Sequence, residues 1–147
     1  MTILSDNEIL LLINRKNLVI HPFSKENLTP AGYDFSCATA FNLPPKKQKT
    51  VATTEHLEIP NNILGTIHLK SSLCREALIG SFAIIDPGFR GNLTLSLFNS
   101  GDESIHINKN EPIVQVVFHK TGRPSSNPYR GRYQDSLGVV ESKRKFT

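Results

Sequence analysis

Residues 85–101 read Ile-Asp-Pro-Gly-Phe-Arg-Gly-Asn-Leu-Thr-Leu-Ser-Leu-Phe-Asn-Ser-Gly. From Leu93 onwards, leucine takes every second position as far as residue 97. Side chains of an extended chain alternate between two faces, so the leucines share one face while Thr94, Ser96 and Phe98 share the other. The Asp-Pro-Gly and Asn-Ser-Gly triplets at the two ends are typical of turns. The stretch therefore predicts a β-strand, Leu93–Phe98, between two turns.

Similar short stretches, rich in β-branched and aromatic residues and separated by Pro, Gly and Asn, fill most of the chain. This spacing predicts many short strands in an all-β antiparallel sandwich or barrel such as a jelly roll. The other predicted strands are Leu18–Ile20, Tyr33–Phe41, Lys49–Thr54, Leu64–Leu69, Ile79–Ile85, Ser104–Ile107 and Ile113–Phe118.

One short helix is predicted near the N-terminus. Ser5 and Glu8 stand three residues apart, just before an apolar run. They can satisfy each other's free amides in a capping box, so we expect a helix that ends near Asn14.

Length and composition favour one domain, residues 1–147. With 147 residues and 38% hydrophobic content, the chain can form one core but hardly two. It has no apolar run of about 18 residues, and Met1–Leu12 lacks the basic start and cleavage site of a signal peptide. These features predict a cytoplasmic protein without a membrane partner.

The net charge of +4 lies entirely at the C-terminal end. Residues 1–122 contain eleven of the 17 Lys and Arg and eleven of the 13 Asp and Glu. Residues 123–147, the C-terminal arm, are therefore basic, which indicates binding to an anion, although a solvated tail is the alternative. The basic residues of the arm are Arg123, Arg130, Arg132, Lys143, Arg144 and Lys145.

Two segments have a composition suited to a nucleotide. Lys70-Ser71-Ser72-Leu73-Cys74-Arg75 places two hydroxyls between two cations, which suits phosphate oxygens. In Asp86-Pro87-Gly88-Phe89, the glycine permits close backbone approach, the aromatic ring can stack on a sugar or base, and Asp86 can hold a hydroxyl or a water. Each segment alone would equally suit an ordinary surface.

Five ordered motifs resemble those of the dCTP deaminase and dUTPase superfamily, over nearly the whole chain. The opening Leu4-Ser5-Asp6 and the closing Tyr129–Ser142 resemble the deaminase branch. The resemblance implies a distorted jelly-roll subunit in a homotrimer, with deoxynucleoside triphosphate sites at subunit interfaces and no polymeric nucleic acid partner. The motifs are Thr29–Phe35, Lys70–Arg75, Ile85–Gly91, Phe98–Gly101 and Ile113–Gln115.

The same resemblance implies roles for individual residues. Asp86 would be the catalytic residue that anchors the 3′-hydroxyl and orders the attacking water, and Phe89 would pack on the sugar. Lys70 stands where the family usually has arginine, so it keeps the charge but loses the planar fork. The residues expected to contact substrate are Lys70, Ser71, Ser72, Arg75, Phe89, Thr94, Leu95, Ser96, Gln115, Tyr129, Arg132 and Tyr133.

Two departures from the deaminase pattern concern the reaction and the base. Where deaminases carry Thr-Leu-Glu, with glutamate as general base, this chain has Thr94-Leu95-Ser96. A serine hydroxyl is far too weak a base to replace that carboxylate, and losing a general base costs roughly 10²- to 10⁴-fold in rate. The segment Glu76–Ile85 is also about two residues shorter than the deaminase pattern, so uracil recognition is less well defined than triphosphate binding.

No protein metal site is expected. His56-Leu57-Glu58 matches half of the zinc deaminase motif, but its Pro-Cys-x-x-Cys partner is absent, and His56 is expected on the surface beside a strand start. Cys37 and Cys74 stand alone and are expected to be buried free thiols, with a disulfide left open.

Three functions follow from these observations. The first is a dUTP diphosphatase that forms dUMP and pyrophosphate, with Mg²⁺ bound through the substrate triphosphate, because phosphoryl transfer needs positioned water and charge neutralisation rather than the missing glutamate. The second is a dCTP deaminase, perhaps bifunctional, and the third is a nucleotide-binding relative without turnover. The retained Asp86 and charged arm favour the first.

Overall fold

The computed structural model describes residues 2–144. Neither helix in this range is long and apolar enough to cross a membrane. The helices are α1 (Asp6–Asn14) and α2 (Ser71–Arg75), with a 3₁₀ turn at Lys25–Asn27. The strands are β1 (Thr2–Ile3), β2 (Val19–His21), β3 (Leu28–Thr29), β4 (Gly32–Ser36), β5 (Phe41–Leu43), β6 (Gln48–Glu58), β7 (Ile63–Leu69), β8 (Leu78–Ser81), β9 (Arg90–Asn99), β10 (Ile105–Ile107) and β11 (Pro112–Lys120).

All strand pairs in these sheets are antiparallel. In the first sheet, β11 pairs with β7 on one edge and with β4 and β1 on the other, and β3 extends β4. The second sheet has the order β2-β6-β9-β8, and β5 pairs with β10 in a separate ribbon. One cluster of buried side chains includes residues from both sheets and from the ribbon. The predicted all-β architecture is confirmed.

The alternation in β9 sets which residues enter the core. Leu93, Leu95 and Leu97 are 5%, 1% and 0% exposed, while Thr94 and Phe98 are exposed on the other face. The strand pairs with β6 on one side and β8 on the other, and the β6 ladder is interrupted by a bulge between Ala52 and His56. The predicted strand is therefore present and longer at both ends.

The predicted capping box is present at α1. The backbone N–H of Ser5 donates to the Glu8 carboxylate at 2.9 Å, and the Glu8 N–H donates to Ser5 Oγ at 3.4 Å. These hydrogen bonds to Ser5 lower the pKa of Glu8 below its ordinary value. The helix ends at Asn14, as expected, and buries Ile9.

Two predicted strands are shorter than expected. The strand expected over Tyr33–Phe41 ends at Ser36, because Cys37 turns to bridge Thr53 and Phe41 starts a strand that pairs with β10. The strand expected over Ile79–Ile85 ends at Ser81, because Ile85 leaves β9 and pairs with Gly65 of β7. The two-residue strands β1 and β3 were not predicted.

The prediction of two buried thiols is half wrong. Cys37 is buried, and burial raises the pKa of its thiol. Cys74 is exposed, because the segment Ser71–Arg75 forms the unpredicted helix α2, which turns Leu73 inward and Cys74 outward. Both thiols are free.

Candidate functional site

The turn at Asp86–Phe89 is held rigidly at the start of β9. The backbone groups of Ile85 pair with those of Gly65 through two hydrogen bonds of 2.9 Å, and the N–H of Phe89 donates to the Asp86 carbonyl at 3.1 Å. Gly88 has φ +85°, a conformation that strongly favours glycine. The turn therefore has one defined shape, set by neighbouring strands and by Gly88.

A cavity of about 370 Å³, the main cavity, lies beside this turn. Apolar and aromatic side chains form most of its wall, and the Phe89 and Tyr129 rings meet edge to face with centroids 5.8 Å apart. The structure thus brings together five of the residues expected at the site: Asp86, Phe89, Thr94, Tyr129 and Tyr133.

Asp86 lies at the border between the main cavity and a second, more polar cavity of about 470 Å³. Its carboxylate is exposed, and within residues 2–144 it has no hydrogen-bond partner. Among the described residues it is the only carboxylate that lines either cavity. The second cavity also contains Arg130 and Asn127 from the arm. Asp86 is therefore free to accept hydrogen bonds from a hydroxyl or a water.

Asn92 lines the main cavity and was missed by the sequence analysis. Its Nδ2 donates to the carbonyls of Thr53 and Glu55 at 3.1 and 3.0 Å, and its Oδ1 accepts from the Gly138 N–H at 3.2 Å. Asn92 lies two residues before Thr94, so the alternation of β9 could have identified it. The local sequence gives no such signal for Ile67, Ala83, Ile84, Ser136 and Val140, which also line the cavity.

Beneath this wall lies a buried carboxylate, Glu55, which is only 3% exposed. One carboxylate oxygen accepts a hydrogen bond from the Ser36 N–H at 2.8 Å. Burial raises the pKa of Glu55 above its ordinary value, and the nearby charge of Asp34 acts in the same direction.

Ser96 and Leu95 do not line either cavity. Gln48 donates from Nε2 to Ser96 Oγ at 3.0 Å, so the serine hydroxyl faces an amide rather than a base. The Leu95 side chain is 1% exposed and belongs to the core, so only its backbone is available for a ligand.

A separate polar cluster surrounds Lys70. Its Nζ donates to Asp34 Oδ2 at 2.5 Å, and Asp34 is only 7% exposed. The other oxygen of Asp34 is buried and has no partner among the described residues. Close by in the ladder, Gln115 pairs with Asp34 and donates to Thr29 Oγ1 at 2.6 Å. Part of the Lys70 charge is thus engaged within the protein.

The remaining phosphate candidates lie on α2, outside both cavities. Ser71, Ser72 and Arg75 are exposed, and Arg75 Nη1 donates to the Ser71 carbonyl at 3.0 Å. A single chain therefore presents two groups of candidate residues: one around Asp86 and the other around Lys70 and α2.

The arm lies along the Asp86 turn. Arg132 does not line the cavities but donates to the Lys143 carbonyl at 2.7 Å, while the Tyr133 hydroxyl accepts from the Lys143 N–H at 3.0 Å. Lys145, counted above among the basic residues, lies outside the described residues.

The expected position of His56 was wrong. His56 lies within β6, between β2 and β9, because the strand extends to Glu58. Its Nε2 is 3.3 Å from Glu58 Oε1. Among the described residues there is no group of three or more His, Cys, Asp or Glu side chains placed to hold a metal.

Comparison with known proteins gives consistent matches. Residues 19–141 match a family model described as dUTPase. The dCTP deaminase of Thermococcus kodakarensis is 43% identical, over 89% of this chain and 94% of that protein. A dUMP-forming dCTP deaminase of Persephonella marina is 30% identical, over 96% of each. A protein of Sulfolobus islandicus rod-shaped virus 1, named "Probable deoxyuridine 5'-triphosphate nucleotidohydrolase", is 30% identical, also over 96% of each.

Solved structures share the fold at low identity. The native EIAV dUTPase has a TM-score of 0.62 at 21% identity and covers 78% of this chain and 97% of its own. The Staphylococcus bacteriophage 80alpha dUTPase with dUpNHpp has a TM-score of 0.60 at 22% identity, with the same coverage. A dUTPase of phage phi11 of S. aureus, whose structure describes a structural Mg(II) ion, has a TM-score of 0.62 at 19% identity, over 78% of this chain and 97% of its own. These likenesses confirm the predicted jelly-roll fold.

Proposed function

The chain belongs to the dUTPase family, which includes dCTP deaminases among its relatives, and from this premise we propose that it hydrolyses dUTP to dUMP and pyrophosphate. The observation that carries the proposal is the position of Asp86. It is the only carboxylate lining either cavity among the described residues, and its oxygens are free to hold a water. One positioned carboxylate suffices to orient water for attack on a phosphate.

Deamination asks for more than this site provides. A deaminase needs a proton acceptor beside the pyrimidine ring in addition to a group that holds the sugar. Ser96, at the position of that acceptor, receives a hydrogen bond from the Gln48 amide and lies outside both cavities. This arrangement supports hydrolysis over deamination.

Magnesium would enter with the substrate. Carboxylate and phosphate oxygens are the ligands that Mg²⁺ prefers, and it commonly keeps several waters. The exposed Asp86 carboxylate, which has no protein partner within residues 2–144, suits contact with a hydrated ion held mainly by phosphates. Bound in this way, Mg²⁺ would neutralise charge on the triphosphate.

The separation of the two residue groups supports a shared site. We propose a homotrimer in which Asp86, Phe89 and the arm of one subunit meet Lys70 and the exposed α2 residues Ser71, Ser72 and Arg75 of a neighbour. Gln115, next to Lys70, would lie near the phosphates. This arrangement would place cations and hydroxyls opposite Asp86, where a triphosphate needs them.

The relatives named dCTP deaminase make deamination the second candidate. An assay that follows pyrophosphate release from dUTP and deaminated product from dCTP separates the two. We expect Mg²⁺-dependent pyrophosphate release from dUTP, lost in Asp86→Asn, and no deaminated product from dCTP. Robust deamination would overturn the argument from Ser96. Tight dUTP binding without pyrophosphate release would instead indicate a nucleotide-binding relative without turnover.

A further inference from the structure

The arm is bound to its own chain by a ladder of backbone hydrogen bonds. The Tyr129 N–H donates to the Pro87 carbonyl, the Asp135 N–H to the Arg90 carbonyl, and the Asn92 N–H to the Ser136 carbonyl, each at 2.8 Å. Ser136 also forms a parallel bridge with Gly91. The arm therefore follows the path from the Asp86 turn into β9 of the same chain.

An ion pair joins the two segments at the centre of this ladder. Arg90 Nε donates to Asp135 Oδ1, and Arg90 Nη2 donates to Asp135 Oδ2 at 2.9 Å. This is a bidentate arginine–carboxylate pair, which fixes orientation as well as distance. Together with the backbone bond between the same two residues, it clasps the arm at a point that can neither rotate nor slide easily.

Gln134 continues the clasp towards the catalytic turn. Its Oε1 accepts from the Arg90 N–H at 2.9 Å, and its Nε2 donates to the Gly88 carbonyl at 2.9 Å. The same Nε2 lies 3.3 Å from the Tyr129 carbonyl. Gln134 thus links the last part of the turn to the part of the arm whose aromatic ring packs on Phe89.

We propose that Arg90 and Asp135 are positioning residues, whose ion pair holds the arm over the main cavity of its own subunit. Tyr129 and Tyr133 then close over the Asp86 of the same chain, in cis. This inference rests on the proposed dUTP hydrolysis and specifies how its site is assembled. Asp86 and the arm come from one subunit, while Lys70 and α2 come from a neighbour.

The charges of the pair have no equally placed substitutes. Asp135 and Glu141 are the only acidic residues of the arm. Asp135 has φ +61°, a conformation that aspartate tolerates better than most residues. Arg90 and Asp135 remain 48% and 58% exposed, so the pair contributes modestly and is sensitive to salt. It suits a lid that must open after each turnover.

A double-mutant cycle tests the pair. Arg90→Gln and Asp135→Asn should each lower kcat/KM for dUTP by about fivefold. The double variant should lose about the same factor rather than about 25-fold, because both changes remove one interaction. Hydrogen exchange should become faster in the peptide covering residues 129–140 of each variant and stay unchanged in β6 and β11. Multiplicative losses, or unchanged exchange in the arm, would overturn the role of the pair, even if the protein lacked dUTPase activity.

A subunit-mixing experiment tests the cis arrangement. Asp86→Asn chains with intact arms are co-expressed, under a second tag, with chains that end after Asn127 and keep Asp86. Purification through both tags isolates mixed oligomers, which should stay inactive, because no Asp86 has an arm on its own chain. Recovered dUTP hydrolysis would show an arm acting in trans and would overturn the proposal.

The matched control mixes Asp86→Asn with Arg75→Ala. Here activity should return, because one subunit supplies Asp86 and its arm while the other supplies an intact α2. Inactive control oligomers would count against the shared site of the proposed function, whereas the exchange data would still decide the role of the Arg90–Asp135 pair. The two failures are therefore distinguishable.

Discussion

A Cβ atom placed on Gly88 would lie 2.7 Å from the Cβ of Pro128, which is closer than real side chains approach. Gly88 belongs to the turn that carries Asp86, and Pro128 belongs to the arm. The turn and the arm can therefore pack together only while residue 88 has no side chain.

Gly88→Ala should lower dUTP hydrolysis by displacing the arm from the turn. The change adds the contact with Pro128 to the strain of φ +85°, which costs an alanine about 1 kcal/mol or more. Steady-state kinetics and thermal unfolding of the variant measure the two effects.

Two other glycines of the chain provide controls. Gly138 has φ +63° and Gly122 has no strained φ, and a Cβ at either would meet nothing within 4 Å. Gly138→Ala should therefore show strain without the clash, and Gly122→Ala should behave as wild type. If all three variants kept equal activity, close packing of the arm on the turn would be irrelevant to turnover.

Glu55→Gln should stabilise the protein near neutral pH. Burial raises the pKa of Glu55 in the folded state, so its favourable contribution is fully present below the ordinary value of 4.5 and is lost as pH rises through the folded-state pKa. Glutamine keeps an oxygen for the Ser36 N–H and carries no charge. The expected result is a Tm above wild type at about pH 8, with the difference shrinking towards about pH 5.

Glu8→Gln is the control of opposite sign. Hydrogen bonds to Ser5 lower the pKa of Glu8, so the stability it contributes is present above 4.5 and is lost as pH falls through the lowered value. Its removal should slightly lower the Tm at about pH 8. A Glu55→Gln variant less stable than wild type at that pH would contradict the sign derived from burial.

Local patterns predicted the parts of this molecule that local geometry determines. The leucine alternation gave β9 and its buried face, and the Ser5–Glu8 spacing gave the cap of α1, because both depend on residues a few positions apart. The Asp86 turn and its neighbours Phe89 and Thr94 were found in the same way. The clustering of these residues with Tyr129 agrees with the expectation that the resemblance supplied.

Contacts between distant residues were beyond that reasoning. Lys70 and Asp34 are 36 positions apart, and Asn92 meets Gly138 across 46 positions. No period in the sequence marks either pair. Helix α2 has only five residues, too few to show a helical repeat, and the cavity wall at Ala83 and Ile84 belongs to no strand. These features depend on how the sheets fold over one another.

Removal of the arm should abolish turnover and leave the body folded. Phe118 is the last residue of the buried core, so a chain that ends after Asn127 keeps the whole cluster. It loses Tyr129 and Tyr133, which line the main cavity. Because closing groups position the substrate, kcat/KM for dUTP should fall by about 10²-fold. Circular dichroism and sedimentation should match wild type, and full activity of the truncated chain would indicate that the arm is only a solvated tail.

Lys70→Met should destabilise the fold through the carboxylate that Lys70 leaves behind. Asp34 is 7% exposed, and one of its oxygens is buried without a partner among the described residues. Without Lys70, its charge would be uncompensated, at a cost of roughly 1–3 kcal/mol, less than for a fully dry pair because the lysine side chain is 32% exposed.

A second change on the same pair separates this effect from lost packing of the lysine stem. Asp34→Asn in the Lys70→Met background removes the stranded charge and should restore most of the stability in urea unfolding, since breaking a buried pair costs more than replacing both members. Lys46→Met is the matched control, because its ion pair with Asp102 is 61% and 94% exposed and should contribute little. If the double variant were no more stable than Lys70→Met alone, the buried charge of Asp34 would not be the cause, and Lys70 would stabilise the fold by packing.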